Sequence, residues 1–457
     1  MKKTAKLVLV YVLLAFLFSG CTSVPGIISS ATITPVPSDV PVSTSTSVPT
    51  ETPVSHTVDT PVYGLALQAD GKIIVSTGCS ITALTWTVQP YITRLNPDGT
   101  LDATFNPKLD GPSCGRLALQ ADDKILVGGR LSDRVEEQNY IARINPDGTL
   151  DIVFDPGASG GIQSPAAINE LALQSDGKIV VAGNFSKLGG ELHDNIARLN
   201  PDGTLDTSFN PGTQGSVYVL AVQPDGKIVV GGRFNDMDGE SRGNLARLNP
   251  DGTLDAAFNL GTRGAVFAGP KVSIWPEGDG AVNTLALQAD GKIVVGGNFA
   301  TLGNSPCCGI ARLNPDGALD TAFAPGMDWP VSGLRWLVDA GGITNFAPGM
   351  NGPVRTLAIQ ADGKIVVGGD FTGFAEGGAW RYPITRLNSD GTLDISFNQQ
   401  TAEQIAGTVN TLVVQPDGKI VVGGDLTFRR FLRNTETTRY FILRLNPDGT
   451  LDTTFNP

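Results

Sequence analysis

Two tight-turn signatures, each written seven times, and the strand-length apolar runs between them predict an all-β fold: a seven-bladed β-propeller of four-stranded antiparallel blades. The first signature, x-Asp-Gly-Lys, carries its aspartate at Asp70, Asp122, Asp176, Asp225, Asp290, Asp362 and Asp417. The second, Asn-Pro-Asp-Gly-Thr-Leu-Asp, follows each of them after a stretch of variable length. Copies of about 57 residues fill 62–457, which is the size of a blade.

Each element has a local reason. In the fifth copy the first strand is Val282 to Gln288, the second Lys292 to Gly297, and the third Ile310 to Asn314. The fourth starts at Leu319-Asp320 and runs to Phe323. Alternation and β-branched content make these strands. In Pro-Asp-Gly, proline presets φ near −65° and glycine supplies a positive φ, so the loop has three residues, a type I turn closed by a glycine bulge. That loop sets the register: with Pro97, Asp98 and Gly99 in it, Leu95 faces Leu101 and Arg94 faces Asp102. The same count pairs Arg143 with Asp151, Arg198 with Asp206, Arg247 with Asp255, Arg312 with Asp320, Arg386 with Asp394 and Arg444 with Asp452. Blades are covered on both faces, so the pairs are expected to be partly buried and to specify register more than they stabilise. A ring of ligand-binding arginines is the functional alternative.

The doubled pattern, Leu-Gln-x-Asp-Gly-Lys-Ile-Val-Val-Gly-Gly followed by Arg-Leu-Asn-Pro-Asp-Gly-Thr-Leu-Asp-x-x-Phe-Asn-Pro, resembles the delta-60 repeat of bacterial secreted β-propeller proteins over nearly all of 62–457. The resemblance implies an architecture and transfers no catalytic motif. Departures are local: Asp123 replaces a turn glycine, Ser389 a turn proline, Ala318 a threonine, and Ser76-Thr77 stand where Gly-Gly is usual. None removes a blade.

Ahead of the repeats, Lys2, Lys3 and Lys6 precede an apolar run from Leu7 to Phe18, too short to span a bilayer comfortably. Phe18-Ser19-Gly20-Cys21 resembles the lipobox of bacterial lipoproteins, with Phe18 where leucine is usual; a plain secretory signal is the alternative. The expectation is a signal peptide over 1–20 and a lipidated Cys21 that anchors the chain to a membrane of the bacterial envelope, extracytoplasmic. Thr22 carries no acidic retention signal. Residues 21–61 are rich in Ser, Thr and Pro and read as a disordered tether.

Composition narrows the chemistry. A net charge of −12 offers no cationic surplus for nucleic acid. With only His56 and His193, a multi-histidine metal site cannot be built, and His193 reads as a solvated loop residue beside Asp194. Asp236-x-Asp238-x-Glu240 lacks the full spacing of a calcium loop. No metal, no cofactor and a monomer are expected. Of Cys79, Cys114, Cys307 and Cys308, the first two flank loops of neighbouring blades and are expected to bridge, leaving Cys307 and Cys308 vicinal or as thiols.

In an up-and-down blade both repeated turns lie on one face of the ring, and all length variation lies on the other, where binding concentrates. Trp86 and Trp380 fall in loops between second and third strands; Trp275, Trp329 and Trp336 fall in crossovers. They read as an aromatic surface for a sugar chain or protein, or as pins for their own loops. The 326–353 crossover reads as an insertion over that face, too short for an eighth blade. Near the start of each innermost strand, Tyr63, Asn169, Tyr218, Asn283, Arg355 and Asn410 escape the repeat, with Glu170 and Arg116 beside them. They should ring the mouth of the central channel, either as a polar ligand site or as solvated lining. No catalytic constellation accompanies them. The expected function is non-catalytic recognition of a glycan or protein. Alternatives are a carbohydrate-active hydrolase or lyase using loop carboxylates, and a purely structural envelope component.

Overall fold

The computed structural model describes residues 60–77, 92–107, 115–129, 141–154, 156, 167–263, 280–299, 301–303, 305–307, 309–323, 338–339, 342–343, 352–375, 378–381, 383–397, 405–429 and 437–457. All belong to one compact unit, Ser55–Pro457. Among the described residues, seven of the eight three-stranded antiparallel sheets follow one another in order as blades; the eighth is a small sheet of Thr262–Arg263, Thr301–Leu302 and Ser305–Pro306. Blade 1 is Val62–Leu67, Ile73–Thr77 and Ile92–Leu95; blade 2 is Arg116–Leu119, Ile125–Gly128 and Ile141–Ile144. Blade 3 comprises Ala167–Leu173, Ile179–Asn184 and Ile196–Leu199; blade 4 Gly215–Val222, Ile228–Phe234 and Leu245–Leu248. Blade 5 holds Val282–Leu287, Ile293–Gly297 and Ile310–Leu313; blade 6 Val354–Ile359, Ile365–Gly369 and Ile384–Leu387. Blade 7 has the longest strands, Ile405–Val414, Ile420–Arg429 and Thr437–Leu445. The outermost, fourth strand of each blade is abbreviated to a single ladder pair, Leu95 with Leu101 and its six counterparts.

The first strand of every blade lies beside the first strand of the next, and Val62–Leu67 lies beside Ile405–Val414, so the seven form a closed ring with those strands innermost. The apolar core sits between blades. Each of its seven clusters joins two successive blades, and one joins Val62, Leu65, Ile73 and Val75 to Val421, Ile442 and Phe455 across the closure. Both faces of a middle strand are therefore covered, which is why it reads Ile-Val-Val rather than alternating. Blade 7 draws its three strands entirely from 405–445. Among the described residues, packing, side-chain bonds and one backbone bond, Asn456 N–H to Asp98 O at 3.2 Å, close the ring.

The register counted out from the three-residue loop is present in the backbone. Asn96 N–H donates to Thr100 O at 2.8 Å, Gly99 N–H to Asn96 O at 2.9 Å, and Asp102 N–H to Arg94 O at 2.8 Å. The arginines then do more than pair across their own hairpins. Each Nε–H donates to its aspartate at 2.7–2.9 Å, and the lysine of the first turn joins the same oxygen at 2.8–3.0 Å. Each guanidinium lies 4.2–4.7 Å from the centroid of its blade's phenylalanine ring. Its second nitrogen donates to the carbonyl of the second turn in the next blade: Arg94 to Pro146, Arg143 to Pro201, Arg198 to Pro250, Arg247 to Pro315, Arg312 to Ser389, Arg386 to Pro447 and Arg444 back to Pro97. Every blade is latched to its successor by one side chain, and the seam between blades 7 and 1 uses the same latch.

Turn glycines serve that interface too. Gly252 has φ +98°, and a Cβ there would stand 2.7 Å from Phe209 of the preceding blade. Where blade 2 has Asp123 in place of the first-turn glycine, the backbone keeps the left-handed conformation at φ 60°, which aspartate tolerates better than most residues.

Candidate ligand site at the channel mouth

Six of the eight channel-mouth residues share one backbone feature. The ladder between first and second strands slips by one residue at Tyr63, Asn169, Tyr218, Asn283, Arg355 and Asn410. Each is the extra residue of a β-bulge, and a bulge re-aims the side chain it carries. The asparagines use that freedom to bind the next blade. Asn169 Nδ2 donates to Val217 O at 2.8 Å, Asn283 to Val354 O at 3.0 Å, and Asn410 to Val62 O at 3.1 Å, the last across the ring closure. These three side chains are part of the inter-blade frame. Tyr63 and Arg355 remain exposed.

One step further along the innermost strands, the equivalent positions are Gly64, Arg116, Glu170, Val219, Thr284, Thr356 and Thr411. Only blades 2 and 3 place charge at this level, one of each sign and on neighbouring strands. The Arg116 guanidinium reaches back to Tyr63 O of blade 1 at 3.5 Å, a long contact. Glu170 keeps some surface open, yet desolvation raises its carboxyl from 4.5 to about 7, against the pull of Arg116 and of a bond from Leu171 N–H. The pair supplies a cation with donors to spare and an acid that holds its proton near neutrality.

The other sequence candidates fall differently. Trp86, Trp275, Trp329, Trp336, Cys79, Cys114, Cys308 and Cys21 lie outside the described residues, as do 1–59 and most of the 326–353 insertion. Within that insertion, Val338–Asp339 pairs with Gly342–Ile343. Trp380 lies on the strand Gly378–Arg381, which pairs with Thr372–Ala375. Cys307 is half-buried against the core between blades 4 and 5. His193 corrects an expectation: it is 3% exposed, not solvated, and burial lowers its pKa from the ordinary value.

The reason for that burial is a motif absent from the sequence reading. The loops between second and third strands in blades 3 and 4 are not irregular; each folds into a small hairpin, Lys187–Leu188 with Glu191–Leu192 and Asp236–Met237 with Glu240–Ser241. Asn195 and Asn244 end these hairpins at φ 67° and 62°. Their side-chain oxygens accept from Phe185 and Phe234 N–H, and their amides donate to Thr213 O and Gly280 O in the following crossover. The ten-residue spacing from Phe185 to Asn195 and Phe234 to Asn244 was the available signal. Asp236 belongs to the same frame, accepting from Gln214 N–H at 3.2 Å. Among the described residues, no three His, Cys, Asp or Glu side chains converge as a metal site.

A closed ring of seven hairpin-built blades, with repeated ion-paired turns on one side and individual groups at the channel mouth, defines the protein as a repeat-built β-propeller. The chain belongs to the family described as a domain of unknown function, the DUF5122 beta-propeller, whose model matches seven segments: 68–105, 120–151, 174–209, 223–258, 288–323, 360–397 and 415–455. No curated protein matches it. Among solved structures it is similar to virginiamycin B lyase from Staphylococcus aureus, at 13% identity over 80% of this chain and 92% of that one with a TM-score of 0.43. It is also similar to PorZ, a surface component of the type-IX secretion system of Porphyromonas gingivalis, at 11% identity over 80% of this chain and 46% of that one with a TM-score of 0.44. A third is the extracellular domain of the putative hybrid two component system BT4673 from B. thetaiotaomicron, at 12% identity over 85% and 46% with a TM-score of 0.34.

Proposed function

We propose that the protein is a surface-displayed recognition module: a propeller of delta-60-type repeats, tethered by 21–61 to a lipid anchor at Cys21 on the extracytoplasmic side of a bacterial envelope, which binds a glycan or protein ligand on its loop face without catalysis. The observation that carries this is the division of labour between the two faces. On the turn face the repeated Arg, Lys and Asp side chains are committed to bonds within and between blades. On the loop face Tyr63, Arg355, Arg116 and Glu170 depart from the repeat, and neither blade register nor the Arg latch depends on them. The tryptophans of the long loops, Trp275, Trp329 and Trp336, supply the apolar contact area such a surface needs. The acidic balance disfavours nucleic acid, and a monomer is part of the reading.

A glycan array and a pull-down on the full chain test the reading. Binding is expected, and replacement of Trp275, Trp329 and Trp336 by alanine should reduce it at least tenfold; binding unchanged by the triple substitution overturns it. A glycoside hydrolase or lyase is favoured by one observation, the proton-holding carboxyl of Glu170. Glycoside cleavage needs a second carboxyl roughly 5–10 Å away. The six equivalent positions around the ring are Gly64, Arg116, Val219, Thr284, Thr356 and Thr411, and none supplies it. Polysaccharide turnover lost in E170Q would promote the hydrolase.

A further inference from the structure

The Arg116–Glu170 pair identifies a ligand class, an inference that rests on the recognition reading and sharpens it. Seven equivalent positions recur around the ring, at a level where Val219, Thr284 and Thr411 are buried, and a fold built of copies would place the same small residue at each. Thr284, Thr356 and Thr411 do so in blades 5, 6 and 7. Blades 2 and 3 break the series with opposite charges on adjacent strands, and neither charge takes part in the hairpin register or the arginine latch. Register is held by the hairpin loops, and the blades are latched by the arginines of the third strands. Arg116 instead makes a single long bond to a carbonyl. Beside it stands Tyr63, 38% exposed and bulged out of its strand.

We propose that Arg116, Glu170 and Tyr63 form a site at the channel mouth for an acidic sugar, a uronate, with Arg116 taking the ligand carboxylate, Glu170 donating a hydrogen bond to it, and the Tyr63 ring covering the sugar face. A guanidinium with free donors suits a planar carboxylate, and an exposed aromatic ring suits the apolar face of a sugar. Glu170 can donate only with its proton on. The strands packed against Ala167–Leu173 are Arg116–Leu119, Ile125–Gly128, Ile179–Asn184 and Gly215–Val222. They bring one charged group, Arg116, and one phenol, Tyr218. A ligand carboxylate offsets Arg116 and adds its own negative charge, so binding favours protonated Glu170 and takes up a proton where the free site has lost it. With the acid titrating at about 7, one proton coupled to binding weakens affinity about tenfold between pH 6 and pH 8.

Calorimetry on the full chain with D-galacturonate, against galactose and acetate, tests this. Galacturonate should bind at pH 6 at least tenfold tighter than either control, weaken about tenfold by pH 8, and be lost in R116A. E170Q, neutral at every pH, should bind tighter than the wild type at pH 8. Galacturonate no tighter than galactose, binding unchanged in R116A, or an E170Q variant that keeps the wild-type pH dependence each overturns the proposal; acetate binding as tightly as galacturonate overturns the sugar. Glycan capture through the loop tryptophans is read separately, and its persistence in R116A would leave the recognition reading standing while this site fell.

Discussion

The turn face and the channel mouth are built from the same seven repeats and have been used in opposite ways. On the turn face an Arg, a Lys, an Asp and a Phe recur with distances that vary by a few tenths of an ångström from blade to blade. At the channel mouth the equivalent positions run from glycine to arginine to glutamate. A repeated position whose side chain bonds to the next copy cannot drift without loosening an interface. The mouth positions make no bond that recurs from copy to copy, and although Val219, Thr284 and Thr411 are buried, blades 2 and 3 place half-buried charge there. The asparagine bulges sit between these extremes, because they lie at the mouth but bond to the next blade.

The largest effect that can break this contrast is removal of one latch. Arg247→Ala takes away the bonds to Asp255 and Pro315 O and the contact with Phe258, and leaves Asp255 buried with Lys227 as its one remaining cation and the Ala257 N–H as its other donor. A stability loss of about 3–5 kcal/mol is expected in denaturant unfolding. R444A at the seam should cost a similar amount, since the same side chain bonds across it. A much smaller loss at the seam would mean the closure is held by something other than the latch. Next in size is Gly252→Ala, which meets both the positive φ and the Phe209 ring and should cost about 1–3 kcal/mol.

The two regions should also answer pH in opposite directions. Burial would raise Asp206, but Lys178, Ser208 and Arg198 together hold it far below the ordinary aspartate value. For Asp102, the Thr104 hydroxyl is the leading cause of the same depression, with Lys72 and Arg94 adding to it. A folded pKa below the unfolded one means stability that is present above about pH 4 and lost as pH falls further. Glu170 has the reverse sign. Its folded value of about 7 lies above 4.5, so its contribution is present below 4.5 and lost as pH rises through 7. The ceiling on that loss is about 3 kcal/mol, and about 1–2 is expected because the carboxyl keeps some access to the channel. Thermal unfolding at pH 8 should accordingly show E170Q more stable than wild type, and at pH 4 the two should coincide. Coincidence at both values would mean that Glu170 is no less solvated in the fold than in the unfolded chain.

The blade fold was legible because its signals are local. A Pro-Asp-Gly loop dictates its own register, so Leu95 opposite Leu101 follows by counting, and seven turns at blade spacing dictate the ring. The latch was not legible, because Arg94 and Pro146 belong to different copies and no pattern within one copy couples them. The hairpin that buries His193 was hidden for a different reason. Its two strands are two residues long, below the length at which alternation can be seen, and only the recurrence of Phe185 to Asn195 as Phe234 to Asn244 marks it. At the mouth, escape from the repeat located Tyr63, Asn169 and Asn283 together. It could not separate Tyr63, which stays exposed, from the asparagines that bond to the next blade, because a one-residue bulge leaves no trace in composition.

The smallest expected effect sharpens the comparison most. Asn283→Ala and Arg355→Ala lie at the same bulge in successive blades. If both merely line a solvated channel, both should be neutral. The Asn283 amide, however, donates to Val354 O on the next innermost strand, and without it that carbonyl loses its partner at a half-buried site, costing about 1 kcal/mol. Arg355 stays exposed beside that carbonyl, and its removal should stay within about 0.5 kcal/mol. Denaturant midpoints for the two variants, at equal slope, measure the difference directly. A loss in R355A as large as in N283A would place Arg355 in the frame and shrink the mouth to Tyr63, Arg116 and Glu170, whereas neutrality of both would release Asn283 for ligand contact.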